Sequence, residues 1–312
     1  MEQAVLVARQ VALIFIYVAI GMVCTKRGIL NEKTGRSLSD FSLSVITPLL
    51  IIKYYVRPID APSFQGLGLA FFLALLFHGL ATAGAVLLIK KREGEEYRIE
   101  RLAVILSNCG YMAIPLIRVT AGEIGVFYAV AYICVFNIFL FSAGMMLLTG
   151  ERKLNPRRMF LNPGFIGFFV GLVLYLTQLP VPALILEAMD AIIVFNTPLP
   201  MITTGIFLVG IRWKETFTNP RIYYGALLRL IVFPLAMIGL MKLAGVQNWL
   251  PDAHNVILVV GLGCACPSAA AVTLLPAKHG LNGQHGAQFI AVTTVLSILT
   301  LPLMTLLINT WM

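Results

Sequence analysis

The sequence predicts an all-α membrane protein of ten transmembrane helices, arranged as two inverted five-helix repeats. Three observations lead there: the apolar fraction, the spacing of the apolar runs, and a pattern that recurs at a fixed distance. Of 312 residues, 59% are hydrophobic and only 12% charged, and the mean hydropathy is +0.89, far above that of an ordinary globular domain. A helix needs roughly 20 apolar residues to cross a hydrocarbon core of about 30 Å. Ten such helices with short turns use the whole chain and leave no length for a soluble domain.

Apolar runs of spanning length fall at 4–25, 37–56, 65–89, 99–117, 122–148, 163–179, 188–211, 220–244, 253–277 and 286–309. The first has Arg9 as its only early cation, follows Glu2, and ends on Lys26-Arg27. A secretory leader starts basic, is shorter and closes on small residues, so a retained first helix is expected. Breakers separate the later runs: Asn31, Pro58 and Pro62, Gly94, Gly122, Asn155-Pro156, Pro180 and Pro182, Asn219-Pro220, Pro251, and Gly280 with Gly283.

A net charge of +9 would suggest a nucleic-acid partner in a soluble protein. Here the cations lie in short connections, where the positive-inside rule explains them and no nucleic acid is implied. Seventeen of the 23 Lys and Arg residues fall on one set of alternate connections: Lys26 to Arg36, Lys90 to Arg101, Arg152 to Arg158, Arg212 to Arg221, and Lys278. Five fall on the other set (Arg9, Lys53, Arg57, Arg118 and Lys242). The first set is therefore expected in the cytoplasm, with both termini on the non-cytoplasmic side of an inner, plasma membrane. Trp213, Trp249 and Trp311 stand at predicted helix ends, as interfacial anchors do.

The repeat is read from Asp40, Thr47, Pro48 and Leu49 in the second run and Asp190, Thr197, Pro198 and Leu199 in the seventh, a constant offset of 150. Pro115 in the fourth run and Pro267 in the ninth stand 152 apart. A Thr-Pro-Leu match alone arises by chance among common apolar residues; the matching Asp and the second proline pair argue for two halves. Five is odd, so the second half enters the bilayer from the opposite side, as in several transporter folds.

Candidate chemistry follows from the fourth and ninth runs, which read Ser107-Asn108-Cys109-Gly110-Tyr111-Met112-Ala113-Ile114-Pro115 and Gly261-Leu262-Gly263-Cys264-Ala265-Cys266-Pro267-Ser268-Ala269. Proline removes a backbone donor and glycine loosens a helix, so both segments are expected to unwind within the membrane. Such a break survives in lipid only where protein or a watery cavity satisfies its backbone. Half-helix N-termini then point free N–H groups into that cavity, which suits an anion. The alternative is a pair of ordinary proline kinks.

These residues resemble the fourth-helix motif of the auxin efflux carrier family, whose bacterial members are often described as malate or malonate permeases. Phe136-Asn137-Ile138 with Gly144, Leu161-Asn162-Pro163, Arg229-Leu230 with Pro234, and Cys266-Pro267-Ser268 with Ala277-Lys278 extend the resemblance over essentially the whole chain. It implies the ten-helix fold of bile-acid symporters and sodium/proton antiporters, with helices four and nine crossing at their breaks. It implies scaffold segments 1–62 and 151–215, transport segments 63–150 and 216–312, elevator-type movement, and a homodimer through the scaffold. The substrate it implies is a small organic carboxylate, held by Asn108, Gly110, Tyr111, Ile114, Pro115, Asn137, Cys266, Pro267 and Ser268. The long central loop of the plant carriers is absent, which puts auxin itself in doubt.

Other residues narrow the function. Neither broken segment carries Asp or Glu near its proline, which argues against proton exchange at paired carboxylates and gives little to a sodium-coupled bile-acid or keto-acid symporter, the alternative kept open. Asp40 and Asp190 stand eight residues before their prolines, roughly 12 Å along a helix, so they are expected near the membrane faces. Arg229 either attracts a carboxylate or pairs with a helix end or snorkels to an interface. Cys24, Cys109, Cys134, Cys264 and Cys266 all lie in apolar runs and read as packing residues rather than metal or redox ligands. No cofactor is expected, and no acid pairs with His78 in the pattern an intramembrane enzyme needs.

Overall fold

The computed structural model describes residues 2–151 and 156–312; Arg152 and Lys153, counted above in the basic connections, and Asn155, named among the breakers, lie outside the described residues. The architecture is all-helical. Its main helices are α1 (Glu2–Lys26), α2 (Glu32–Tyr55), α3 (Ala61–Leu88), α4 (Glu96–Ile105) and α5 (Cys109–Thr149). They continue as α6 (Pro163–Thr177), α7 (Ala183–Val209), α8 (Pro220–Leu243), α9 (Ala253–Ala265), α10 (Ala271–Lys278) and α11 (Gly283–Trp311). Seven of them, α1, α2, α3, α5, α7, α8 and α11, are long and apolar enough to cross a membrane.

Helix starts follow the capping chemistry of the sequence. Asn31, Asp60 and Asn162 each accept a backbone N–H three residues on, from Thr34, Ser63 and Phe165, and so begin α2, α3 and α6. The 41-residue run of α5 turns at Gly122, whose φ of 66° lies in the left-handed region that glycine tolerates. That turn falls where the sequence separates its fourth and fifth apolar runs.

Three of the prolines inside the helices are accommodated by a widened turn before them, whereas Pro276 and Pro302 sit within regular α-helix. The segments Ser42–Ile46, Cys109–Ala113 and Leu228–Val232 are π-helical, and each ends two residues before a proline: Pro48, Pro115 and Pro234. A proline in a regular α-helix would clash with the carbonyl four residues back; the wider turn moves that carbonyl away. Pro115 therefore does not break its helix, in contrast to the expectation from sequence.

Small residues set the close packing. α1 lies on α7, where a Cβ added at Gly21 would come within 2.1 Å of the Ile202 carbonyl oxygen and one at Gly205 within 2.1 Å of that of Val18. On the other side α2 lies on α6, with Gly167 against Pro48 and Gly171 against Tyr55. Around these pairs, α3 packs on α5 and α9, and α11 packs on α1, α9 and α10.

Candidate functional site

Two non-helical links, between α4 and α5 and between α9 and α10, meet inside the protein. Ser107 and Ser268 pair in an isolated antiparallel bridge. The Asn108 N–H donates to the Pro267 carbonyl at 2.7 Å, and the Ala269 N–H donates to the Leu106 carbonyl at 2.9 Å. Each link thus supplies the partners that the other lacks, which is what buried backbone requires away from water. Thr293 Oγ1 accepts the Ser268 N–H at 3.2 Å, and the Ser268 hydroxyl donates to the Ala103 carbonyl at 2.8 Å.

The crossing corrects the expected register. The break in the first link covers Leu106 to Asn108 rather than Pro115, and the residues that face each other, Ser107 and Ser268, stand 161 apart rather than 152. At that spacing Pro115 corresponds to Pro276 within α10, not to Pro267.

A cavity of about 190 Å³ opens beside the crossing. Asn108, Gly110 and Tyr111 from the start of α5 line it together with Ala269, Ala270 and Ala271 from the start of α10. Asn137 adds an amide, Ile133, Phe136, Leu140 and Leu274 add apolar wall, and the charged residues are Asp40 and Lys278. Their side chains pair at 3.3 Å and are more than half exposed, so they belong to the mouth rather than the interior.

Inside, the polar groups are neutral. Asn108 is only 8% exposed, and among the described residues its side chain has no hydrogen-bond partner. The N–H groups of Gly110, Tyr111, Ala270 and Ala271 are first-turn donors without intrahelical acceptors, and they belong to residues on the cavity wall. Asn137 donates one N–H to the Ile133 carbonyl at 2.8 Å, and among the described residues its amide oxygen accepts no hydrogen bond. Gly164 presses on that amide, where a Cβ would come within 2.8 Å of Nδ2.

Residues of α2 and α7 hold this wall in place. Asn196 donates to the Gly110 carbonyl at 2.9 Å and Thr197 to the Tyr111 carbonyl at 3.1 Å. The Thr47 hydroxyl lies 3.4 Å from that of Tyr111 while bonding the Ser42 carbonyl at 3.0 Å. The two threonines therefore grip one tyrosine from opposite ends. Pro48 packs on Gly167, and Pro198 opens the second segment of α7. Asp190 lies elsewhere, paired with Lys53 in a second cleft of about 490 Å³ that Arg57, Arg118 and Glu123 also line.

Several expected residues stand behind the wall. Ile114, Pro115, Cys266, Pro267 and Ser268 do not line the cavity, and Cys266 and Ser268 are fully buried in the crossing. Arg229 is fully buried as well and is not on the wall. Its guanidinium donates to the carbonyls of Val104 at 3.1 Å, Ile105 at 3.4 Å, Cys266 at 3.0 Å and Cys264. Of the roles open to it from sequence, the geometry is that of pairing with helix ends. Ala269 to Ala271 were invisible as wall residues because alanine carries no chemical signal; only their place after Pro267 marks them.

A family model described as membrane transport protein matches residues 6–156 and 151–305. A protein of Methanothermobacter thermautotrophicus named as an uncharacterized transporter is 24% identical over 298 residues, covering 93% of this chain and 94% of that protein. With its apolar helices, the chain is a multi-pass membrane protein, and both names point to a transporter rather than an enzyme. The chain belongs to the membrane transport protein family, the auxin efflux carrier family that its motifs resemble.

Proposed function

We propose that the protein is a secondary transporter for small organic anions, carboxylates above all, working in a plasma membrane by elevator-type alternating access. The observation that carries this reading is the meeting of an unpartnered, buried Asn108 amide with the free N–H groups of two half-helices on a neutral cavity. Such donors suit a carboxylate, while the absence of a cation on the inner wall among the described residues leaves the substrate easy to release. At about 190 Å³ the cavity is smaller than drug-sized pockets of roughly 300 Å³ and more, which favours a small acid.

The ten-pass inverted repeat is part of the proposal. It is supported by the reciprocal bonds of Ser107 and Ser268, by an offset of 150 in the α2 and α7 pair, and by one of 161 at the crossing. The scaffold comprises 1–62 and 151–215, joined by the glycine contacts of α1 with α7 and α2 with α6. Segments 63–150 and 216–312 move against it. The cavity mouth at Asp40 and Lys278 is on the side rich in Lys and Arg, so this is a cytoplasm-facing state with both termini outside. Exposed Ile166, Phe169 and Leu176 on α6 offer the scaffold an apolar face for lipid or a second copy.

Uptake into proteoliposomes of mono- and dicarboxylates, beside their neutral amides, tests the reading. Transport of a carboxylate and not its amide is expected; equal passage of both, or of neither, refutes it.

A further inference from the structure

Arg229 takes no place on the cavity wall, yet its surroundings are unusual for a buried cation. It is fully buried, and among the described residues no carboxylate lies within ion-pair distance. A buried charge without a counter-ion is strongly disfavoured unless its hydrogen bonds are all well placed. Here the guanidinium reaches four carbonyls, two at the C-terminal end of α4 and two at that of α9, and its carbon stands 5.5 Å from the centre of the Phe77 ring. The π-helical turn Leu228–Val232, just before Pro234, contains Arg229 and sets the direction in which it leaves α8.

A helix C-terminus carries about half a negative charge, so two of them together carry about one, which a single guanidinium matches. Without that cation, two negative ends at the crossing would oppose the two positive N-terminal ends of α5 and α10 and weaken their field. We infer that Arg229 sets the charge selectivity of the cavity without touching its occupant: it neutralises the C-terminal ends of α4 and α9 and leaves the N-terminal ends of α5 and α10 to act on the substrate. The inference rests on the reading of that cavity as an anion site. Arg229 is in this sense a positioning residue for charge. Its planar fork donates to carbonyls from two helices at once, and a lysine ammonium at the same position would supply the same charge with fewer bonds.

A thiol placed at Gly110 reports the field directly. An added Cβ there meets no atom within 4 Å, so Gly110→Cys fits. Cys24, the half-buried native thiol, is replaced in the background by Cys24→Ser. The thiol pKa, read from the pH dependence of alkylation by a small reagent, is expected about one unit below the ordinary value of about 8.5 in the protein that keeps Arg229. In Arg229→Gln it is expected to return to that value or rise above it. Arg229→Lys keeps the charge and should keep a lowered pKa.

An ordinary pKa in the parent overturns the inference without any variant at position 229, and so does an equally lowered pKa in Arg229→Gln. A return to the ordinary value in Arg229→Lys also overturns it, since charge would then not be the agent. A second readout is the preference for a carboxylate over its neutral amide, measured on the purified protein. Arg229→Gln is expected to lose at least tenfold of that preference, whereas a purely structural role weakens both ligands alike. Because the thiol titration needs no transported substrate, a lowered pKa without carboxylate binding sinks the transport proposal and leaves this one standing.

Discussion

Truncating Asn108 separates a binding role from a structural one. Its backbone is held independently of its side chain: the N–H donates to the Pro267 carbonyl, and its carbonyl accepts from Met112 at 3.2 Å and Ala113 at 3.3 Å. The side chain, 8% exposed, leaves no partner stranded when it is removed. Asn108→Ala is therefore expected to fold and melt as the parent does. If the amide donates to a bound carboxylate, its loss costs roughly 1.5–3 kcal/mol, which is about ten- to over a hundredfold in affinity. Asn196→Ala gives the opposite pattern. Asn196 stands in α7, outside the two crossing links, yet it donates to the Gly110 carbonyl, and its removal leaves that part-buried acceptor without its partner at a cost of about 1 kcal/mol or more. Melting temperature and carboxylate affinity are measured for both variants. Unchanged affinity in Asn108→Ala, or a melting loss large enough to explain its weaker binding, would refute the reasoning.

Three further outcomes follow from the same geometry. A cysteine replacing exposed Glu93, in the connection between α3 and α4, should react with an impermeant reagent only from the cytoplasmic side; labelling in intact cells contradicts the assigned orientation. Gly21→Leu must fit a side chain where even a Cβ approaches the Ile202 carbonyl oxygen to 2.1 Å, so a destabilisation of about 1–3 kcal/mol is expected, while Gly110→Ala should leave the melting temperature unchanged and reduce transport of the larger acids. Lys278→Gln removes the cation at the cavity mouth; because the pair with Asp40 is exposed, stability should change by less than about 1 kcal/mol, while carboxylate association slows and loses part of its salt dependence, read by stopped-flow binding.

The seven long apolar helices were legible because lipid demands length and apolarity, and those are properties of local sequence. Pro267 marked a true break, since the chain on both sides of it is needed to pair with the other link. Pro115 misled because a proline also fits a helix that widens to a π turn, and nothing local distinguishes the two outcomes. The break at Leu106 to Asn108 contains no proline. It exists because Ala269 and Pro267, more than 150 residues away, take up its backbone bonds. Arg229 shows the same limit: its environment is made of carbonyls, which every residue has, so residue types could not single out its partners. The match of Asp40 with Asp190 was visible, but not that one pairs at the cavity mouth and the other in a second cleft.

The central claim is that carboxylates bind where the two half-helices begin. Gly110→Cys in the Cys24→Ser background, labelled in purified protein with and without a transported carboxylate, tests it most directly. The account predicts that the carboxylate slows labelling at position 110, that its neutral amide does not, and that a control thiol replacing Glu93 is unaffected. A transported carboxylate that leaves labelling at position 110 unchanged would contradict it.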